Sequence, residues 1–223
     1  MVLLLATALD VPLRERNALL LAAGFAPMYK ETRLDAPELA SVRDALDAIL
    51  RQQEPFPSVV MNRYWDVLDL NQAAKRFFTF LLGREPAGQS NVIRVFFDPN
   101  GVRPYVANWE SVAESLIQRI HREAVGGVPD RGTRELLEAA FAYPNVPQRF
   151  RVPDVATPLV PVIPVSFLRD GRKFNFFSAV TTLGTPQDIT LQEIRIESFF
   201  PADADTARNA RQLSATDPHV AAK

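Results

Sequence analysis

The sequence contains no cysteine, which removes disulfides, thiolate nucleophiles and most structural zinc sites together. Histidine is almost as scarce: His121 follows Ile120 on a helix face shared with Gln118, Arg122 and Glu123, His219 lies in a polar C-terminal stretch, and neither completes a triad or a ligand pair. Glycine totals nine, and none of it gathers into a loop that would cradle a phosphate. Charge of one sign is missing as well. With 25 Lys and Arg against 26 Asp and Glu the net charge is −1, so no general pull toward nucleic acid or an anionic membrane is expected. The apolar opening, residues 1–9, has no cationic start, stops at Asp10 and is far short of the roughly 20 residues a membrane helix needs. It is neither signal peptide nor anchor. No activated nucleophile or acid–base pair is visible, so the expectation is a cytoplasmic, non-enzymatic protein with no metal and no cofactor, whose function turns on the shape of a pocket.

What the chain does have is apolar and aromatic. Over 223 residues the apolar content is 47%, and 15 Phe outnumber two Trp and four Tyr combined, enough for one sizeable core or for a core plus a small helical subdomain. Residues 12–23 form a helix around Leu13, Leu20 and Leu21 that Gly24 closes as a C-cap. Asp35, three residues before Glu38, begins a helix carrying Leu39, Val42, Leu46, Ile49 and Leu50 on one side, which Pro55 and Pro57 stop. Two short strands follow at 58–62 and 65–68, the second with Trp65 and Val67 on one face. It hands directly to a helix over 72–82, with Asn71 as the cap and Ala73 and Ala74 allowing close packing. Residues 83–90 are a loop, and 91–97 are a short apolar segment that a turn at 98–101 ends.

Asn108 caps a long helix bearing Trp109, Val112, Ala113, Leu116 and Ile120, which Gly126 and Gly127 end. A further helix spans 131–142 with Leu136, Leu137 and Phe141, and the Pro-rich run 144–164 crosses to a β section. There, strands 162–169 and 173–183 flank Asp170 and Gly171, a pair suited to a tight hairpin. After a turn at 185–188, residues 191–200 alternate Ile194, Ile196 and Phe200 with Glu193, Arg195 and Glu197, giving one apolar and one wet face. A short helix at 205–213 and a frayed end complete the chain. The fold class is α+β: a PAS-like five-stranded antiparallel sheet with helices over one face, preceded by a small helical segment. The divisions are 1–30, 31–203 and 204–223.

Five runs, at 9–27, 65–74, 91–99 (NVIRVFFDP), 108–110 and 183–203 (ending GTPQDITLQEIRIESFFPAD), occur in an order that resembles the MmyB-like transcription regulators. These are bacterial proteins in which a Cro/XRE-type helix-turn-helix precedes a PAS-like ligand-binding region. The resemblance implies that residues 1–30 are the end of a helix-turn-helix whose recognition helix is not in this chain, so DNA would be reached only through that missing part. It also implies a hydrophobic small-molecule pocket between sheet and helices, with fatty-acid-like ligands as the class.

The residues expected around such a ligand are Trp65, Phe77, Phe80, Leu81, Ile93, Arg94, Phe97, Trp109, Phe174 and Phe176, since large rigid rings line apolar sites well. Phe96 belongs to the same aromatic cluster. Each ring also has the plainer reading of ordinary core. Arg94 stands among Val92, Ile93, Val95, Phe96 and Phe97, where its guanidinium would meet a ligand carboxylate or else snorkel to solvent. Asp203 and Asp205 are spaced for a cation or for capping. Arg14, Glu15 and Arg16 read most simply as a wet helix face, or as the surface that orients a DNA-binding unit. A second function class stands beside ligand sensing: a dimerisation or protein-interaction module with a packed core and no ligand, for which exposed Leu3 to Leu5 would need a partner such as a second copy in a homodimer.

Overall fold

The Asp170–Gly171 pair adopts positive φ at both residues, 50° and 74°, and turns the chain through the hairpin its sequence predicts. In the computed structural model, described for residues 1–86, 90–123, 130–152, 164–184 and 186–215, the elements in chain order are α1 (Val2–Ala8), α2 (Leu13–Ala22), α3 (Ala40–Gln52), β1 (Ser58–Met61), β2 (Val67–Leu70), α4 (Gln72–Leu82), α5 (Val92–Phe97), α6 (Trp109–Glu123), α7 (Arg131–Ala142), β3 (Pro164–Arg169), β4 (Arg172–Thr182), α8 (Ile189–Glu193), β5 (Arg195–Pro201) and α9 (Ala204–Ala215). The strands form one sheet in the order β2-β1-β5-β4-β3, antiparallel at every junction. The last strand in sequence is thus the central one. This is the α+β, PAS-like sheet the pattern of elements implies.

The main core lies on one face of the sheet, where Met61, Phe174 and Phe176 meet Phe77 and Leu81 of α4, Ile93 and Phe97 of α5, and Ile117 of α6. A smaller core on the opposite face joins Val60 and Ile196 to Leu46 and Leu50 of α3. α9 packs on β4 and α4; the Thr206 hydroxyl accepts the Asn175 N–H at 2.8 Å. Several large apolar residues of the N-terminal helices, among them Leu4, Leu5 and Leu21, remain exposed.

Local chemistry explains where sequence expectation and structure part. Trp65 is not in a strand. Asn62 makes an Asx turn, its Oδ1 accepting the N–H groups of Tyr64 and Asp66 at 2.9 and 3.0 Å, and the turn sets Trp65 at φ 67°, a conformation rare for a bulky residue; β2 begins at Val67. Asp35 does not cap a helix, because its carboxylate is taken by Arg33 at 2.8 Å. A 3-10 turn at Pro37–Leu39 leads into α3 instead. The apolar segment 91–97 is a helix, α5, whose N-terminus Asn91 caps. Asn108 directs its side chain to β3, donating to the Pro164 carbonyl at 2.8 Å and accepting the Ser166 N–H at 3.0 Å. The strand expected from 191 begins at Arg195, because Asp188 caps α8 by accepting the Thr190 N–H at 2.8 Å. Gly126, Gly127, residues 162–163 and the end beyond 215 lie outside the described residues.

The face carrying Glu193, Arg195 and Glu197 is not a wet one. Both faces of β5 are covered, Ile196 by α3 and Glu197 by the helices of the main core.

Candidate functional site

Between the inner face of the sheet and α4, α5 and α6 lies a cavity of about 310 Å³, at the lower end of the range for small-molecule sites. Phe78 and Leu82 of α4, Val92 and Val95 of α5, Val112 and Leu116 of α6, and Val165 and Phe167 of β3 supply its apolar wall, with Val59 of β1 and Glu197 and Phe199 of β5 also lining it. Arg84 and Arg94, both exposed, stand at the rim. Neither makes an ion pair among the described residues.

Of the ten residues expected to meet a ligand, Arg94 lines this cavity. Phe77, Leu81, Ile93, Phe97, Phe174 and Phe176 are at most 2% exposed in the main core. There the Phe77 ring meets Phe167, Phe174 and Phe176 edge-on at centroid distances of 5.1, 5.2 and 5.5 Å, a favourable aromatic geometry. Phe80 is half-buried under the guanidinium groups of Arg169 and Arg172. Trp109 is half-buried too, its indole N–H donating to the Phe96 carbonyl at 3.0 Å while Arg103 stacks at 3.7 Å. The helical period accounts for the split on α4. Residues 74, 77 and 81 share the stripe that faces the sheet, whereas 78 and 82, one position on, fall on the flank that borders the cavity.

Asn91 ties the cavity wall together. Its Oδ1 accepts the N–H groups of Ile93 and Arg94 at 3.1 and 3.2 Å, and its Nδ2 donates to the Tyr64 carbonyl and the Asp66 carboxylate, both at 2.8 Å. An asparagine before a short apolar run is a helix-start signal, and it was the available clue to α5.

Glu197 is the residue that sequence reasoning left on a solvent face. It lies on the central strand opposite Val59 of β1 and Val180 of β4, and the surface it keeps faces the cavity. Burial pushes its carboxyl above the ordinary 4.5, against a hydrogen bond from Ser178 and the charge of Arg119 on α6, which pull it down. Among the described residues, Arg84, Arg94 and Asp98 are the other charged groups of the cavity wall. A carboxyl that holds its proton to higher pH in the folded state than in the unfolded one weakens the fold as pH rises from the ordinary glutamate range through the raised folded value. Glu197→Gln, uncharged throughout, should therefore melt higher than the parent at about pH 8, with the advantage shrinking toward about pH 5. Thermal melts of both proteins at the two pH values check this. An equal difference at both would show that Glu197 ionises as freely as it does in water.

A second, polar pocket of about 260 Å³ lies at the junction with the N-terminal helices, lined by Asp10, Glu15, Arg63, Trp65, Glu193 and Arg195 among others. Trp65 is 1% exposed here, with Arg119 over its ring at 4.9 Å. The Arg14–Glu15–Arg16 cluster is not a free wet face. Arg14 pairs with Glu193 at 2.7 Å and with Glu31 at 2.5 Å, Arg63 bridges Glu193 at 2.9 Å and Asp130 at 2.7 Å, and Arg16 donates to the Val11 carbonyl at 2.6 Å. The long arginine arms reach across to the sheet domain, which sequence spacing alone cannot show. Asp203 is a cap, accepting the Thr206 N–H at 2.7 Å and the Asn175 amide at 2.7 Å; Asp205 pairs with Arg208. No group of three metal-ligating side chains occurs among the described residues.

A family model described as the MmyB-like transcription regulator ligand binding domain matches residues 42–213. The search of curated proteins found no match.

Proposed function

This chain belongs to the MmyB-like transcription regulator ligand-binding domain family, and on that premise we propose that it senses a fatty-acid-like amphiphile in the cavity between sheet and helices, by binding and not by catalysis. The observation that carries this reading is the pairing of an apolar cavity of about 310 Å³ with two exposed arginines at its rim. Each methylene taken out of water contributes about 0.8 kcal/mol, and an arginine fork suits a carboxylate left at the mouth. The partner is then a small molecule. A difference in its affinity for two arrangements of the domain would bias an attached DNA-binding unit. A cytoplasmic site of action suits that role, and no helix among the described residues is long and apolar enough to cross a membrane.

Calorimetric titration of straight-chain fatty acids of about 12 to 18 carbons into delipidated protein tests the reading. Binding should weaken at least about tenfold in Val112→Phe or Leu116→Trp, which push new side-chain volume into the cavity, with the fold retained as judged by melting. Phe80→Ala, outside the cavity, should leave affinity unchanged. No binding by the parent protein, or binding indifferent to both cavity-filling variants, would remove the proposal.

A further inference from the structure

A cavity made for a plain acyl tail has no use for a carboxyl in its wall, yet Glu197 lines it together with Val59, Val165, Phe167 and Phe199, on the central strand of the sheet. Burying such a group is costly unless hydrogen bonds compensate. The neighbours across the sheet, Val59 and Val180, offer no side-chain partner. Ser178 hydrogen-bonds the carboxyl, which meets one of roughly four acceptor positions on its two oxygens. Arg119 is felt through its charge, but its guanidinium is committed to Glu123 at 2.9 Å and to the Trp65 face. The remaining hydrogen-bonding capacity of Glu197 points to whatever enters the cavity.

We propose that the ligand selected here is polar at both ends, with an anionic group at the rim beside Arg84 and Arg94 and an uncharged hydroxyl on the inserted end that hydrogen-bonds Glu197. This rests on the fatty-acid reading above and narrows its ligand class from plain to hydroxylated acyl chains. Burial favours the protonated form of Glu197, which both donates and accepts and so matches a hydroxyl, itself a donor and an acceptor. A second carboxylate at the inner end would have to be buried as a charge. A cationic ligand would meet two arginines on its way in.

The test compares unsubstituted straight-chain acids of about 12 to 18 carbons with their ω-hydroxy counterparts, titrated into the parent protein, Glu197→Leu and Glu197→Gln. At the best-fitting length the parent should prefer the hydroxy acid by about tenfold. Glu197→Leu should reverse that preference, while Glu197→Gln, which keeps a donor and an acceptor, should retain most of it. If the parent binds both series equally, or if Glu197→Leu leaves the ratio unchanged, the hydroxyl assignment falls and the fatty-acid reading stands. If the folded parent binds neither series at any length, both fall. The parent's own preference is informative even where a variant does not fold.

Discussion

Asn71→Ala should lower the unfolding free energy by about 3 kcal/mol, a large share of the 5–15 kcal/mol typical of a domain. The side chain is 5% exposed and serves four backbone groups at once. Its Oδ1 accepts the Ser58 N–H at 3.0 Å and the Ala74 N–H at 2.8 Å, and its Nδ2 donates to the Phe56 carbonyl at 2.8 Å and the Leu50 carbonyl at 3.3 Å. One residue thereby fixes the end of α3, the start of β1 and the N-terminus of α4. Losing a helix cap costs about 1 kcal/mol, and each buried group left without its partner adds about 1–3 kcal/mol before relaxation. Urea denaturation would show a lower midpoint with an unchanged slope. A loss under about 1 kcal/mol would mean that solvent replaces the missing amide, and that this corner of the fold is wetter than its burial implies.

Gly101→Ala is the second large effect, a destabilisation of about 2–3 kcal/mol. Its cause is close approach. A Cβ at Gly101 would sit 2.1 Å from the Val95 carbonyl oxygen and 3.2 Å from that of Asp98, and both are backbone atoms held in place, Val95 by the Val102 N–H at 3.1 Å and Asp98 by the Gly101 N–H at 2.9 Å. No rotamer change relieves the clash, so α5 or the turn after it must move. Because Val95, Asp98, Gly101 and Val102 all line the cavity, fatty-acid affinity should fall together with the melting temperature. Gly184→Ala is the control: nothing lies within 4 Å of its added methyl, and its stability should stay within about 0.5 kcal/mol of the parent. Equal behaviour of the two variants would show that the 98–102 turn yields freely.

What could be read in the sequence was what is local. Asn71 with the 72–82 helix, the Asp170–Gly171 hairpin and the 131–142 helix depend on caps, turn residues and periodicity within a dozen positions, and each appears with the bounds or turn its residues imply. The five-strand sheet followed from the order of those elements. The cavity did not, because its wall is assembled from β1, β2, α4, α5, α6, β3 and β5, and the choice of side chain facing it is a matter of one helical position, 78 and not 77. Aromatic content marks where a core is dense, which is the opposite of where a space remains. Glu197 was hidden for a related reason. Alternation along a strand separates two faces, but a charged face is read as solvent unless something is known to cover it, and the cover comes from elements far away in sequence.

The position of β5 gives the cavity a mechanical connection. Glu193, just before the strand, grips Arg14 of α2 and Arg63, and Gln192 accepts the Leu13 N–H at 2.7 Å, while Glu197 faces the cavity only four residues later. Extended chain advances about 3.3 Å per residue, so the paired strand from Arg195 to Glu197 spans only about 7 Å, and Ile194 alone links it to Glu193 at the end of α8. The central strand, paired on both edges by β1 and β4, thus carries a cavity-facing carboxyl and leads back, two residues before its start, to the carboxylate that holds α2.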